Sequence, residues 1–351
     1  MSKARERLIW IDNVKVVACA LVVLGHMFQG LIQAKILPEG NAFHFFIETV
    51  YFFHVRLFFI CSGYLYQRYS KVQNFSEWKN NILKKLIDLG IPYFTFATAT
   101  WVLKFAFSSF VNNEADGLFY SLFINPIAPY WYLFCLFFML LFTPTFSKRT
   151  TKTVFLILAL VFKAIIICLQ TSIPYNINQL FTNYIWLILG MLISELDLNK
   201  VFRKQSTPFV CVAIFVVFIL GSLLVFKTDM NNIVYNFAAF LLGIIACTAV
   251  IGFIGGIYSK KNQGKIFGFL TKYTLPIYLM HTIFAASLRA LLLKLSVTNP
   301  AIHIISGLII SFAGPIIAAL IMNKTKYLEF FIYPRKTIKR IKEGKTIYEK
   351  A

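Results

Sequence analysis

Ten stretches of about 20 predominantly apolar residues recur along this 351-residue chain, and that recurrence constrains its fold more than any other feature. In hydrocarbon every backbone N–H and C=O must be satisfied internally, so such stretches span as helices or as strands of a closed barrel. The runs are continuous and lack the alternation of barrel strands, which selects helices. They lie at 11–33, 45–66, 89–111, 127–146, 153–171, 177–195, 207–226, 232–257, 272–293 and 302–322. Composition agrees: 58% hydrophobic and 14% charged residues, with a mean hydropathy of +0.71, depart from the roughly 25% charged content of soluble domains. A water-soluble enzyme and an intrinsically disordered chain are both excluded. The predicted fold class is an all-α, polytopic membrane protein of about ten transmembrane helices.

The net charge of +21 is explained by where it sits. With the N-terminus placed in the cytoplasm, 27 of the 35 Lys and Arg fall in inner segments and three (Lys35, Lys227, Lys294) in outer ones. This is the positive-inside pattern, with both termini cytoplasmic, and not a nucleic-acid footprint. One domain is expected over 1–322, followed by a basic amphipathic cytoplasmic tail over 323–351. That tail mixes bases with Phe, Ile and Tyr, as a helix resting on anionic lipid would, or else it is a solvated helix. The stretch Asn74–Asp88 carries the same two readings. The first apolar run is too long for a cleaved leader and is expected to remain as an anchor.

Ionisable side chains inside a span are costly and mark a site by default. The first two spans concentrate them: Asp12, Lys15 and His26 on one, Glu48, His54 and Arg56 on the other. Asp12 and Lys15 are three apart and can pair across one turn. Lys15 and His26 are eleven apart, sharing a helix face about 16 Å apart along the axis. His54 and His281 each lie about 14 Å from the nearer end of their spans, at the depth of His26. One such histidine is commonly a packing residue; three at matched depth from three helices, beside a Lys/Asp pair, point to a site. Imidazole is the usual general base near neutral pH.

Other chemistries fit less well. No carboxylate or Cys falls at the depth of the histidines, so no metal is expected. The six Cys (19, 61, 135, 168, 211, 247) lie in apolar runs and read as small hydrophobes. Ser62, in CSGYL, has no nucleophile-elbow context and reads as small-residue helix packing. A proton relay of transporter type stays open.

The residues carry a resemblance. IDNVKVVACALVVLGH (Ile11–His26) and FFHVRLFFICSGYLY (Phe52–Tyr66) resemble the first two blocks of the membrane-bound acyltransferase 3 family. IPYF (Ile91–Phe94), YWYL (Tyr130–Leu133) and PIYLMH (Pro276–His281) match its weaker motifs in order. The resemblance implies transfer of an acyl group, usually acetyl from cytoplasmic acetyl-CoA, to a hydroxyl of a cell-surface or lipid-linked glycan. It implies His26 as the essential histidine and Lys15 in the place of a commoner Arg. Lys85 fills one position of a base pair ahead of the third helix, and Asp88 stands where the second base would be. Arg56 stands where the family more often has Pro.

The expected mechanism follows. Lys84, Lys85 and Lys15 meet the coenzyme's phosphates. The pantetheine arm carries the thioester towards His26, which deprotonates a sugar hydroxyl or relays the acetyl group. His54 and Arg56 polarise the carbonyl. Tyr130 and Trp131 stack on a sugar ring near the outer surface, or belong to an interfacial aromatic belt. Glu48 and His281 are further candidate contacts to the acceptor. The partners are thus a glycan acceptor and the lipid bilayer, with no nucleic acid. The location is the plasma membrane, and enrichment in Lys, Ile, Asn and Phe hints at an AT-rich bacterium. The alternative is a glycan exporter or flippase of the same helical architecture.

Overall fold

The computed structural model describes residues 7–343 except 39, 71, 73, 108–115, 170–172 and 259–262. Residues 1–6 and 344–351, the ends of the predicted basic N-terminal segment and tail, lie outside the described residues. All regular structure among the described residues is helical. The chain runs α1 (Ile9–Gln33), α2 (Asn41–Tyr51), α3 (His54–Tyr69), α4 (Phe75–Lys85), α5 (Ile91–Ala106), α6 (Trp131–Phe142), α7 (Arg149–Cys168) and α8 (Tyr175–Ile193). It continues through α9 (Leu198–Phe202), α10 (Thr207–Lys227), α11 (Asn232–Tyr258), α12 (Lys265–Lys294), α13 (Pro300–Met322), α14 (Lys326–Ile332) and α15 (Pro334–Lys342).

Eight helices are long and apolar enough to cross a membrane, counting α2 with α3 and α4 with α5 as single elements. Large apolar side chains on their outer faces, such as Val154, Ile157 and Val161 on α7 and Val216, Val217 and Leu220 on α10, are exposed, as lipid-facing residues must be. The predicted span at 127–146 is corrected. Its helix, α6, has 12 residues, about 18 Å, because residues 125–130 turn before it and residues 143–146 leave it extended. The predicted span at 177–195 forms α8, which has the length but is not among those eight.

Two other spans depart from a plain helix for identifiable reasons. The second breaks at Phe52–Phe53, where the chain turns between α2 and α3. Between α4 and α5 a π-helical turn, Leu86–Gly90, keeps the helix running. Pro92 follows it; its ring lacks an N–H and would crowd the carbonyl four residues back, at Asp88, and a widened turn relieves that. Asn74–Asp88 is tied to the bundle on one side and leaves Phe75 and Leu83 exposed on the other. Asn74 caps α4 by accepting from Glu77 N–H at 2.9 Å, and Trp78 Nε1 donates to Leu141 O at 3.1 Å, docking α4 against α6.

The segments predicted to share the basic side meet at one end. Gln67 and Phe146 exchange two hydrogen bonds of 2.8 Å. Lys152 pairs with Glu195, and Gln263 accepts from Arg7 at 2.8 Å while donating to Asn13 at 2.9 Å. The tail docks there too. Tyr333 donates to Lys272 O at 3.1 Å, Arg335 pairs with Asp88, and Ile332 and Thr337 are buried. The tail is thus packed on protein along one side, while Tyr327, Leu328, Phe331 and Ile341 stay exposed.

Helix α1 is central, packing on α2, α3, α11, α12 and α13. Helix α3 crosses α8 at close range. A Cβ on Gly63 would lie 2.0 Å from Leu187 O, and one on Gly190 would lie 2.1 Å from Ile60 O. Only glycine permits that approach, the small-residue packing of membrane helices.

Candidate active site

Two places hold the predicted residues. The first is a cavity of about 750 Å³ at the basic end. Asp12 and Lys15 of α1, Lys84 and Lys85 of α4, and Asp88 of the π-turn all line it, so the first span and the segment ahead of the third meet here. The structure adds Arg7, Glu77, Ser62 and Arg335 to its wall. Sequence reading missed Arg7 and Arg335 because neither lies in a span. The Asp12–Lys15 pair is corrected: Asp12 takes Arg7 instead, Nε to Oδ2 at 2.6 Å. Lys15 makes no ion pair among the described residues and faces the cavity as a cation.

The second place is deeper. The rings of His26 on α1 and His281 on α12 lie 5.6 Å apart. Their helices pack side by side, and Pro276 removes a hydrogen bond one turn before His281. His281 Nδ1 lies 3.0 Å from both Ile277 O and Tyr278 O; carbonyls only accept, so Nδ1 carries the proton. Nε2 is then an acceptor, buried and without a partner among the described residues. A buried acceptor left unmade costs about 1–3 kcal/mol, so it suits a site that receives a hydroxyl donor.

His54 reaches this level less directly. As the first residue of α3 it donates Nδ1–H to Val50 O at 2.7 Å, satisfying the frayed end of α2. Its ring lies 4.8 Å from that of Tyr51, whose hydroxyl donates to Gln29 on α1 at 2.8 Å. Arg56, two residues on, faces the other way. Nη1 donates to Ala239 O at 2.6 Å and the guanidinium lies 5.0 Å from the Trp186 ring, so its direct contacts are made to α11 and α8. Glu48 is hydrogen-bonded by Tyr235 of α11.

Tyr130 and Trp131 are repositioned. Tyr130 is 0% exposed; its hydroxyl donates to Leu279 O and accepts from Thr100, both at 2.8 Å. It is a core residue beside the histidine level and presents no face at an outer surface. Trp131 is half-buried against Phe59, ring centroids 6.3 Å apart. The short α6 explains both, since it begins in the interior of the bundle. Tyr130→Phe is therefore expected to cost about 1–3 kcal/mol by orphaning those partners, without lowering turnover per folded molecule. Thermal melts paired with turnover of the purified variant check this; lost turnover at unchanged stability would return Tyr130 to the acceptor site.

Between the two places stand aromatic rings. Ser62, on the cavity wall, donates to the Tyr132 hydroxyl at 2.9 Å, and the Tyr132 ring lies 5.8 Å from Tyr278, one turn before His281. Phe58 completes the cluster, 6.0 Å from Tyr278. Among the described residues no group of three or more His, Cys, Asp or Glu is placed to hold a metal ion.

A cation-lined pocket and a paired histidine on one helix suit transfer of a group from a polyanionic carrier, and comparisons with known proteins point the same way. A family model described as an acyltransferase domain matches residues 8–320. The chain is 27% identical over 128 residues to the nodulation protein NolL of Mesorhizobium japonicum. That stretch is 36% of this chain and 32% of NolL, so the match spans about a third of the relative's length. No solved structure matches the chain.

Proposed function

This chain belongs to that acyltransferase family, a multi-pass membrane protein, and on that premise we propose that it moves an acetyl group from cytoplasmic acetyl-CoA to a hydroxyl of a cell-surface or lipid-linked glycan in the plasma membrane. The observation that carries the reading is the 750 Å³ cavity, lined by five basic side chains, on the helix that holds His26 deeper in the bundle. Its volume is in the range of sites for ligands of that size, roughly 300–1,000 Å³. Lys15, Lys84 and Lys85 would meet the coenzyme's phosphates as point charges. The rings of Phe58, Tyr132 and Tyr278 pack between the cavity and the histidines, and they must part to admit the pantetheine arm.

At the histidine pair, His26 takes the acceptor hydroxyl's proton while Nε2 of His281 receives a hydrogen bond from the acceptor and orients it. The hydroxyl oxygen forms the new C–O bond, the C–S bond breaks, and the thiolate leaves with the proton His26 took. Free coenzyme and an O-acyl ester result.

Calorimetry with acetyl-CoA tests the donor site. Lys15→Ala and Lys85→Ala are each expected to weaken binding about tenfold, the worth of a charge-assisted hydrogen bond. No binding at millimolar acetyl-CoA by folded protein would remove the enzyme reading and put export of the glycan first. In cells, His26→Ala discriminates the same way: an acyltransferase leaves unacetylated glycan outside, whereas an exporter leaves none.

A further inference from the structure

Arg335 lies beyond residue 320, where the family match ends, yet it lines the cavity. Its position is enforced. Glu329, whose side chain is 1% exposed, draws in Arg340, Lys336 at 3.0 Å and the Thr337 hydroxyl at 3.2 Å, folding α15 back on α14. Tyr333 ties this pair to the N-terminal third of α12 through Lys272 O. Arg335 then projects to the π-turn, where Nε and Nη2 both engage the Asp88 carboxylate. At 45% exposure the guanidinium is still reachable by a solute.

Two features set Arg335 apart from the lysines. A guanidinium matches a phosphate with two parallel N–H donors, whereas an ammonium acts as a point charge. Its present partner is a carboxylate, the same acceptor geometry, within a cavity that also holds Lys15, Lys84 and Lys85. An incoming phosphate would take the fork and leave Asp88 to water.

We propose that Arg335 is a phosphate-binding residue of the donor site, supplied by the C-terminal tail and parked on Asp88 until a nucleotide-type diphosphate enters. This rests on the acyl-coenzyme reading of the cavity. The tail becomes part of the site, and Asp88 acts as the competitor that holds Arg335 ready.

The test uses full-length protein in detergent and coenzyme A as the probe, measured by calorimetry for the wild type, Arg335→Ala, Arg335→Lys and Asp88→Asn. Arg335→Ala is expected to weaken binding at least tenfold, and Arg335→Lys to recover only part of it. Asp88→Asn is expected to bind as tightly as wild type or more so. Both Arg335→Ala and Asp88→Asn break the same ion pair, so a merely structural staple would weaken them alike. Equal weakening in the two, or no weakening in Arg335→Ala, overturns the proposal. A wild type that binds no coenzyme A overturns the acyl-coenzyme reading itself, and this inference with it; a wild type that binds, with Arg335→Ala unaffected, overturns the inference alone.

Discussion

His26→Ala is expected to lower acyl transfer by about 10²- to 10⁴-fold, the usual contribution of a positioned general base. Its ring lies 5.6 Å from that of His281, whose Nε2 has no partner among the described residues, and no other described pair of imidazoles lies so close. Coenzyme binding should survive the change, because Lys15 is eleven residues away, about 16 Å along α1. The two measurements therefore separate: calorimetry with coenzyme A unchanged within about twofold, turnover to an acceptor glycan lost. A variant that keeps turnover within about tenfold would move the chemistry off His26. One that loses coenzyme binding as well would show that the histidine acts by holding α1 in place.

The second large effect concerns folding. Gly63→Ala places a methyl group 2.0 Å from Leu187 O, 3.0 Å from Leu187 C and 3.1 Å from Met191 N, all backbone atoms that cannot rotate away. Helices α3 and α8 must separate, and Ser62 and the Tyr66 hydroxyl, which donates to Thr143 O at 2.7 Å, move with α3. Overpacking of well-fitted cores costs about 1–3 kcal/mol and more when backbone blocks relaxation; we expect the upper end or beyond, with little folded protein recovered. Gly190→Ala should behave alike, since its Cβ would sit 2.1 Å from Ile60 O. Gly117→Ala is the control, because nothing lies within 4 Å of its Cβ. Size-exclusion yield and thermal melts in detergent read the effect; a Gly63→Ala protein that melts with wild type would mean the two helices cross less closely than described.

These glycines show where sequence reading stopped short. In CSGYL the small-residue packing was legible, but it falls on Gly63, and its neighbour Ser62 turns to the cavity. Spacing along α1 placed Lys15 and His26 on one face because a helix fixes that angle locally. It could not say that Asp12 would choose Arg7 over Lys15, because Arg7 is also held by Gln263, 256 residues away in the chain. Likewise Tyr130 read as an outer aromatic because the window around it was apolar for 20 residues. Only the turn at 125–130 carries it into the core.

The sequence by itself determined that this chain is a helical, multi-pass membrane protein, because backbone polarity in hydrocarbon permits little else. It also determined the basic end, because charge distribution is a linear property of the loops, and the level of the histidines, because helical rise is fixed at about 1.5 Å per residue. The tertiary structure alone decided which histidines meet, where Arg56 points and how the tail closes on Asp88. Those depend on how helices far apart in the chain rotate and pack against one another. That rotation is set by summed contacts such as Gly63 on Leu187 and Glu329 on Arg340, which no window of one helix contains.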